Sequence, residues 1–175
     1  MAVIQTLYPQ SNADTVALTI TLASLASTSA GILLAGREST AVANTSNLDL
    51  DHLVSGRITV GTSPTVSRVI EVWAYAPVRI ASGTPTYPDV LTGSDAAATI
   101  TSANVKASAL RLVWSTLVDS TTDRSYWIPP TSIGLLFGDL PPRWGLFVTH
   151  DTGVNLNATA GNHYLEYTRI KRESV

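Results

Sequence analysis

Hydrophobic and polar residues alternate along several stretches of this chain, which is the pattern of a β-strand that buries one face. In the clearest alternation, residues 110–119, we expect Leu110, Leu112 and Trp114 to share one face of a strand. Residues 68–76 alternate in the same way. Strands are predicted at residues 16–22, 30–36, 56–61, 68–76, 110–119, 133–137, 144–149 and 164–170.

Segments rich in glycine, proline, serine and threonine separate these strands, and the longest of them covers residues 77–95. Two short helices are expected, one at residues 47–53 and one at residues 102–109 that begins from a Ser102 cap. Many strands, frequent turn signals and little helix predict an all-β fold. We expect a single β-sandwich domain over residues 1–175, with a Greek-key jelly roll as its form.

The first ten residues have two interpretations. Residues 1–8 carry no charged side chain, and Tyr8 precedes Pro9. They can form an N-terminal arm that adds a strand to the sheet edge of a neighbouring chain or docks on a larger assembly. They can also form an ordinary first strand of their own sandwich, and we favour this interpretation.

Charged residues are scarce, at 14% of the chain against about 25% in an average soluble protein. A free monomer usually keeps a charged surface, so this deficit favours a homo-oligomer, a dimer or trimer, whose subunits cover much of the surface. The alternative is that serine and threonine hydroxyls replace the missing charges. A net charge of −2 and scattered arginines argue against a nucleic-acid partner, which selects a basic stripe.

Several classes of protein are disfavoured by what the sequence lacks. The chain has no cysteine, so it can form neither a disulfide framework nor a thiolate metal site. Its longest apolar runs are far shorter than the roughly 20 residues that span a bilayer. The first residues show neither the basic region nor the long apolar region of a signal peptide. We therefore expect no membrane association and no export by the general secretory route.

The histidines give little support for a catalytic or metal site. His150 lies next to Asp151, and His52 follows Asp51, but neighbouring residues on a strand point to opposite faces. A metal site made of His150, His163 and Asp151 is conceivable. Zinc requires three or four convergent ligands, and solvated loop histidines are far commoner than ligands.

Other chemical motifs are also missing from the sequence. It contains no G-x-S-x-G nucleophile turn, no phosphate-binding P-loop and no H-E-x-x-H zinc motif. Asn44, Asn47, Asp49 and Asp51 resemble a calcium loop faintly, but the spacing and the distal glutamate are absent, so we expect these residues to cap a turn. The sequence therefore predicts a protein that is not an enzyme and binds no cofactor or metal.

The aromatic residues are the remaining candidates for a binding surface. Exposed tryptophans could form a platform for sugar rings, whereas tryptophan and tyrosine are also common in cores and subunit interfaces. We favour the core or interface interpretation. The candidate interface residues are Tyr8, Trp73, Tyr75, Tyr87, Trp127, Trp144 and Arg169.

Four stretches together resemble a family of virion proteins from tailed bacteriophages. They are GRESTAVANTSN (36–47), SGRITVGTSPTVSRVIEVWAYA (55–76), TYPDVLTG (86–93) and PPRWGLFVTHDTGVNLNATAGNH (141–163). The likeness is one of whole segments, covers roughly residues 22–169, and includes no motif with a mechanism. Within that family the chain resembles the capsid decoration, or cement, proteins, several of which are jelly-roll β-sandwiches.

The resemblance implies a structural protein that binds the major capsid protein, stabilises the shell and lies on the outer capsid surface after assembly in the host cytoplasm. It assigns no catalytic or binding residue. The alternatives are a protein of the tail, collar or fibres, or a carbohydrate-binding module that recognises host glycans.

Overall fold

Thirteen strands and two short helices make up the described part of the chain. The computed structural model describes residues 4–7 and 14–174, with side chains from residue 14 to residue 171. The strands are β1 (Ile4–Leu7), β2 (Thr15–Ala17), β3 (Ala35–Glu38), β4 (Val42–Ala43), β5 (Asp51–Thr59), β6 (Val69–Tyr75), β7 (Arg79–Ala81), β8 (Thr84–Thr86), β9 (Ala96–Thr99), β10 (Arg111–Leu117), β11 (Ser125–Ser132), β12 (Arg143–His150) and β13 (Tyr164–Ser174). The helices are α1 (Ala103–Ala109) and α2 (Ile133–Phe137), and a 3-10 turn covers Ala160–Asn162.

The first sheet, called sheet A, has the strand order β1-β13-β5-β11, with β2 also paired to β13. All of its pairings are antiparallel. Strand β5 packs one face against the core, so its residues alternate between half-buried and fully buried positions as far as Ile58. Strand β1 pairs with the last part of β13, from Lys171 to Ser174. This places residues 4–7 of the possible N-terminal arm on a sheet of their own chain, while Tyr8 and the other residues of 1–10 lie outside the described residues.

The second sheet, sheet B, has the order β10-β6-β12-β3-β9, and β4 pairs with the beginning of β12. Its pairings are antiparallel as well. A separate hairpin of β7 and β8 lies within residues 77–95, the segment predicted as a long loop.

The hydrophobic core lies between the two sheets. Val54 and Ile58 from sheet A pack in one cluster with Val72, Leu146 and Val148 from sheet B, and all five are fully buried. Two antiparallel sheets that share one core form a β-sandwich. The predicted all-β sandwich is therefore confirmed, with 43% of residues in strands and 10% in helices, while its jelly-roll form stays a prediction.

A second hydrophobic cluster covers the outer face of sheet B. Tyr75 and Phe147, on β6 and β12, pack there against residues from the segment 87–110, which includes α1. Strand β12 is consequently buried on both faces from Trp144 to His150. Within the described residues, no comparable hydrophobic cluster lies on the outer face of sheet A.

One predicted strand is a helix. Residues 133–137 form α2, because the Ser132 hydroxyl accepts a hydrogen bond from the Leu135 amide and caps the first turn. Gly138 ends the helix in the left-handed conformation, at φ 87°. A run of five apolar residues fits either structure, and here the flanking cap residues decide.

The helix predicted at residues 47–53 is also wrong, because β5 begins at Asp51. Two strands are shorter than predicted. Strand β2 ends at Ala17, although Leu18 and Leu22 are still buried in the core. In the next predicted stretch, residues 30–36, the strand begins only at Ala35 and extends to Glu38. The expected Ser102 cap is present, since its hydroxyl accepts from the Val105 amide.

The face predicted for residues 110–119 is interrupted. A register shift lies between Leu112 and Trp114 where β10 pairs with β6. Such a bulge turns the following side chains relative to those before it. Leu112 is 42% exposed, whereas Leu110 and Val118 are buried.

Candidate interaction surface on sheet A

Three side chains form a continuous row across the outer face of sheet A. Strand pairing places Trp127 of β11 opposite Arg57 of β5, and Arg57 opposite Tyr164 of β13. The Arg57 Cζ atom lies 5.6 Å from the centre of the Trp127 ring and 5.4 Å from that of Tyr164. Both distances are within the range of cation–π contacts. We call Trp127, Arg57 and Tyr164 the aromatic–arginine row.

The sheet and an adjacent turn hold Arg57 in place. Its Nε donates a hydrogen bond to the Asn162 carbonyl at 3.2 Å, and its Nη2 donates to the Gly161 carbonyl at 2.9 Å. No acidic group lies within 4.0 Å of its nitrogen atoms in the described part of the chain. The guanidinium therefore keeps N–H donors available for a partner.

The row is exposed to an unusual degree for its residue types. Trp127 is 61% exposed and Tyr164 39% exposed. Tryptophan is highly buried on average, and a large apolar side chain left in water points to an interaction site. Tryptophan, tyrosine and arginine are also the residues most enriched among those that dominate binding energy at protein interfaces. The row is suited to bind a partner through removal of the two aromatic rings from water and through the positive charge of Arg57.

Trp144 and Arg169, two other candidates, belong to a buried polar network. His52 Nε2 donates to Asp49 Oδ2 at 3.0 Å, and the Trp144 indole donates to His52 Nδ1 at 2.9 Å. Arg169 donates to both oxygens of Asp49, at 2.7 and 3.0 Å. The Asn44 amide closes the same turn on the Asp49 backbone, in agreement with the expected turn cap.

The electrostatics of this network fix its protonation. Burial opposes ionisation of Asp49, but the hydrogen bonds from Arg169 and His52 outweigh it and hold the pKa of that carboxyl below its ordinary value. Burial lowers the pKa of His52, despite the opposing hydrogen bond to Asp49. His52 is thus neutral near pH 7, and its acceptor nitrogen is occupied by Trp144. This acid–histidine pair cannot take a proton from a substrate and serves to join β5, β12 and β13.

Tyr75 and Tyr87 lie on the opposite side of the molecule, outside sheet B. Their rings meet edge to face with centroids 5.5 Å apart. The Tyr75 hydroxyl lies 3.0 Å from Glu38 Oε2, and the same carboxylate accepts hydrogen bonds from the backbone of Thr92 and Gly93. Burial and the neighbouring Glu38 charge raise the pKa of Tyr75. Both tyrosines are buried within the chain.

Trp73 is half-buried and binds α1 through two charged residues. Its indole donates to Glu71 Oε2 at 2.8 Å. Lys106 of α1 donates to the same oxygen at 2.7 Å, and its Nζ lies 5.0 Å from the centre of the Trp73 ring. These contacts fasten the outer layer to sheet B.

The seven candidate residues therefore do not form one surface. Trp144 and Arg169 meet in the buried network, Tyr75 and Tyr87 meet outside sheet B, and Tyr8 lies outside the described residues. Among the candidates that the structure describes, Trp127 alone is exposed. Its companions Arg57 and Tyr164 were not singled out from the sequence. The strand patterns at residues 56–61 and 164–170 include Arg57 and Tyr164. Their proximity to Trp127, however, depends on which strands pair, and the alternation pattern does not specify this.

No metal-binding cluster of three histidine or acidic residues occurs among the described residues. His150 is buried and hydrogen-bonds the Leu25 carbonyl through Nε2 at 3.0 Å. Asp151 instead accepts from the amides of Val69 and Gly31. Both side chains are thus engaged in holding loops to the sandwich.

Comparisons with known proteins add no identity. No protein-family model matches the sequence, no curated protein matches it, and no solved structure matches the fold. In the parts of the chain that the structure describes, no helix is long and apolar enough to cross a membrane.

Proposed function

We propose that this chain is a structural protein of a tailed-bacteriophage virion, a capsid decoration or cement protein that binds the outside of the shell. Its partners are the major capsid protein and further copies of itself, as a dimer or trimer. It acts without catalysis, on the outer surface of the capsid, after assembly in the host cytoplasm. Two kinds of observation support the proposal: the resemblance of the four sequence stretches and the character of the exposed surface.

The exposed aromatic–arginine row is the observation that carries the proposal. Within the described residues, no buried side-chain nitrogen or oxygen lacks a hydrogen-bond partner, so the polar interior is fully used by the fold. Trp127, Arg57 and Tyr164 remain available on a rigid sheet whose other face is the core. A decoration protein needs such a rigid body with adhesive surface residues and no chemistry.

Electron microscopy of virions tests where the protein lies. Gold-labelled antibody raised against this chain is expected to cover the head of the phage that encodes it, at many copies per particle. Label confined to the tail, the collar or one vertex would contradict the decoration role and support the tail or fibre alternative.

A deletion tests what the protein does there. Virions that lack this chain should lose infectivity faster than complete virions on heating or osmotic shock, and added purified protein should restore resistance. Equal survival of both particles would exclude a cementing role, even if the label covers the head.

Glycan recognition is the second candidate, because Trp127 is exposed beside another aromatic ring. It predicts that host polysaccharide changes the tryptophan fluorescence and that Trp127→Ala abolishes the change without unfolding the protein. The geometry favours it less. The two rings are tilted by 72°, and Arg57 lies over both, so they do not present the coplanar faces on which sugar rings stack.

A further inference from the structure

The geometry points to a symmetric dimer in which two copies of this chain meet through the outer faces of sheet A, with Arg57 of each copy paired to Glu166 of the other. The inference rests on the self-association included in the proposed function, and it names the surface and the pairing. For this contact we define the outer face of sheet A by nine residues that alternate away from the core: Thr15, Ala17, Leu53, Ser55, Arg57, Trp127, Tyr164, Glu166 and Thr168. Asp51, at the start of β5, alternates in the same direction, but its carboxylate already accepts hydrogen bonds from the Ser132 hydroxyl and the Gly134 amide.

The charges of this face are self-complementary. Among the nine residues that define it, Arg57 and Glu166 are the two that carry charge, and their signs are opposite. Glu166 is two positions from Tyr164 on β13, so Arg57 and Glu166 are diagonal neighbours on adjacent strands. They form no ion pair with one another in the described structure, and the Glu166 carboxylate has only a long contact, 3.5 Å, from the Ser55 hydroxyl.

This arrangement meets the symmetry condition of a twofold dimer. In such a contact the same patch is used by both copies, so residue i meets residue j and j meets i. A twofold axis in the plane of the contact, midway between Arg57 and Glu166, brings each of these residues opposite the other in the second copy. Two ion pairs form, and no like charges from these nine residues face each other.

The chemistry of the row also favours a protein partner over a sugar. The arginine has N–H donors left for a carboxylate, and Trp127 beside it supplies apolar area that is lost from water on contact. Arginine bound to a carboxylate beside aromatic rings is typical of the residues that dominate protein interfaces. Glu166 of the second copy supplies that carboxylate.

The size of the face sets the expected strength. Four strands about 4.8 Å apart and five residues at about 3.3 Å each give a flat area of about 300 Å², compared with about 800 Å² of surface per partner in a standard stable complex. We therefore expect a reversible dimer with a dissociation constant in the micromolar to millimolar range. Copies held side by side on a shell would associate at a much higher effective concentration.

Charge reversal tests the pairing in the purified full chain. Sedimentation velocity over about 10 µM to 1 mM should show a monomer–dimer equilibrium for the wild type. Arg57→Glu and Glu166→Arg should each raise the dissociation constant by about tenfold or more, because each places two like-charged pairs in the contact. Trp127→Ala should weaken the dimer as well.

The decisive sample is an equimolar mixture of the two charge-reversal variants. One variant then carries two acidic groups on the face and the other two basic groups, so heterodimers should form at concentrations where each variant alone associates much more weakly. The double variant, Arg57→Glu with Glu166→Arg, should dimerise again. Arg124→Glu, an exposed reversal outside the defined face, is the matched control and should leave the equilibrium unchanged.

Several results would overturn the inference: a wild type that stays monomeric up to 1 mM, reversal variants that dimerise like the wild type, or a mixture that does not associate. Thermal unfolding of each variant distinguishes a broken contact from a misfolded chain, and rescue in the mixture cannot come from misfolded protein. If the protein is monomeric but antibody against it labels phage heads, the proposed dimer is wrong and the proposed virion role is unaffected. If the protein dimerises as described but is absent from virions, the dimer is supported and the virion role is wrong.

Discussion

His150 shows how one residue can set the pH dependence of the whole fold. It lies at the end of β12 with no exposed surface, its Nε2 donating to the Leu25 carbonyl and its Nδ1 3.0 Å from the Thr152 hydroxyl. Burial lowers the pKa of its imidazole from 6.5 to about 4, in spite of the favourable hydrogen bond to Leu25. The folded protein therefore binds fewer protons than the unfolded chain between these two values.

The sign of the effect follows from that difference. Stability from this group is fully present above pH 6.5 and is lost as the pH falls towards 4. We expect His150 alone to lower the free energy of unfolding by about 2 kcal/mol between pH 7 and pH 5. Urea unfolding at both pH values measures it. His52 and His163, whose pKa values burial also lowers, act in the same direction.

Comparison with His150→Gln isolates the residue, because the other histidines contribute equally to both proteins. The glutamine amide can still donate to a carbonyl but does not titrate, so the variant is expected to lose less stability than the wild type from pH 7 to pH 5. Its absolute stability at pH 7 can be lower without affecting the test. An identical loss in the two proteins would show that His150 does not control this range.

Among the elements, β3 and β12 lie unusually close together. An added Cβ at Gly36 of β3 would lie 2.2 Å from the Val148 carbonyl oxygen of β12 and 2.9 Å from the Phe147 ring. Backbone cannot move aside as a flexible side chain can. The closeness of the two strands therefore requires glycine at this position.

We expect Gly36→Ala to lower the free energy of unfolding by about 2–3 kcal/mol, since it overpacks a buried strand pair. Denaturant unfolding followed by tryptophan fluorescence measures the loss. Gly161→Ala is the matched control, because its added Cβ would meet nothing within 4 Å. Similar stabilities for both variants would mean that β3 moves away from β12 at little cost.

A strand or helix could be predicted where the local pattern of hydrophobic and polar residues determined which of its side chains are buried. Strand β6 was predicted well, because Ile70, Val72 and Ala74 alternate with residues on the less buried face. Helix α2 was not, because the capping contacts of Ser132 outweigh an apolar run that is equally compatible with a strand. The orientation of Leu112 was predicted wrongly for a different reason. The β-bulge in β10 cannot be recognised from the alternation of hydrophobic and polar residues.

The candidate surface was predictable only in part. The sequence singled out Trp127 but not Arg57 and Tyr164, which lie 70 and 37 residues away from it along the chain. Arg57 and Tyr164 each belong to a strand that was predicted at least in part, whereas no strand was predicted at Trp127, and the meeting of all three depends on the order β13-β5-β11. Long-range strand order is not encoded in local periodicity, so the row could be recognised only from the structure.

At the scale of the whole molecule, the protein has three layers with unequal attachment. Sheets A and B share the main core, whereas the outer layer, residues 87–95 and 100–110 on either side of β9, rests on a smaller second cluster. Lys106 joins this layer to sheet B, since its Nζ donates to Glu71 Oε2 and to the Leu33 carbonyl, each at 2.7 Å. The ion pair is largely buried, with 9% and 17% of the two side chains exposed.

Removing this lysine should loosen one layer and leave the sandwich folded. Lys106→Ala leaves the Glu71 carboxylate without its cation, and breaking a buried ion pair costs about 3–5 kcal/mol. We expect amide hydrogen exchange to accelerate at residues 103–110, measured by mass spectrometry, with little change in β5 and β13. Local opening of this kind is the usual response of a weakly attached unit.

Arg124→Ala serves as the control, because it removes a far more exposed ion pair, the one with Asp119, and exposed ion pairs contribute little to stability. If Lys106→Ala accelerated exchange equally in all strands, the outer layer and the sandwich would form one cooperative unit. That result would make the second cluster part of the main core in energetic terms. Acceleration confined to the outer layer would instead show that the sandwich keeps its shape while the layer outside sheet B opens. The outer face of sheet A would then belong to a rigid body, as a contact surface requires.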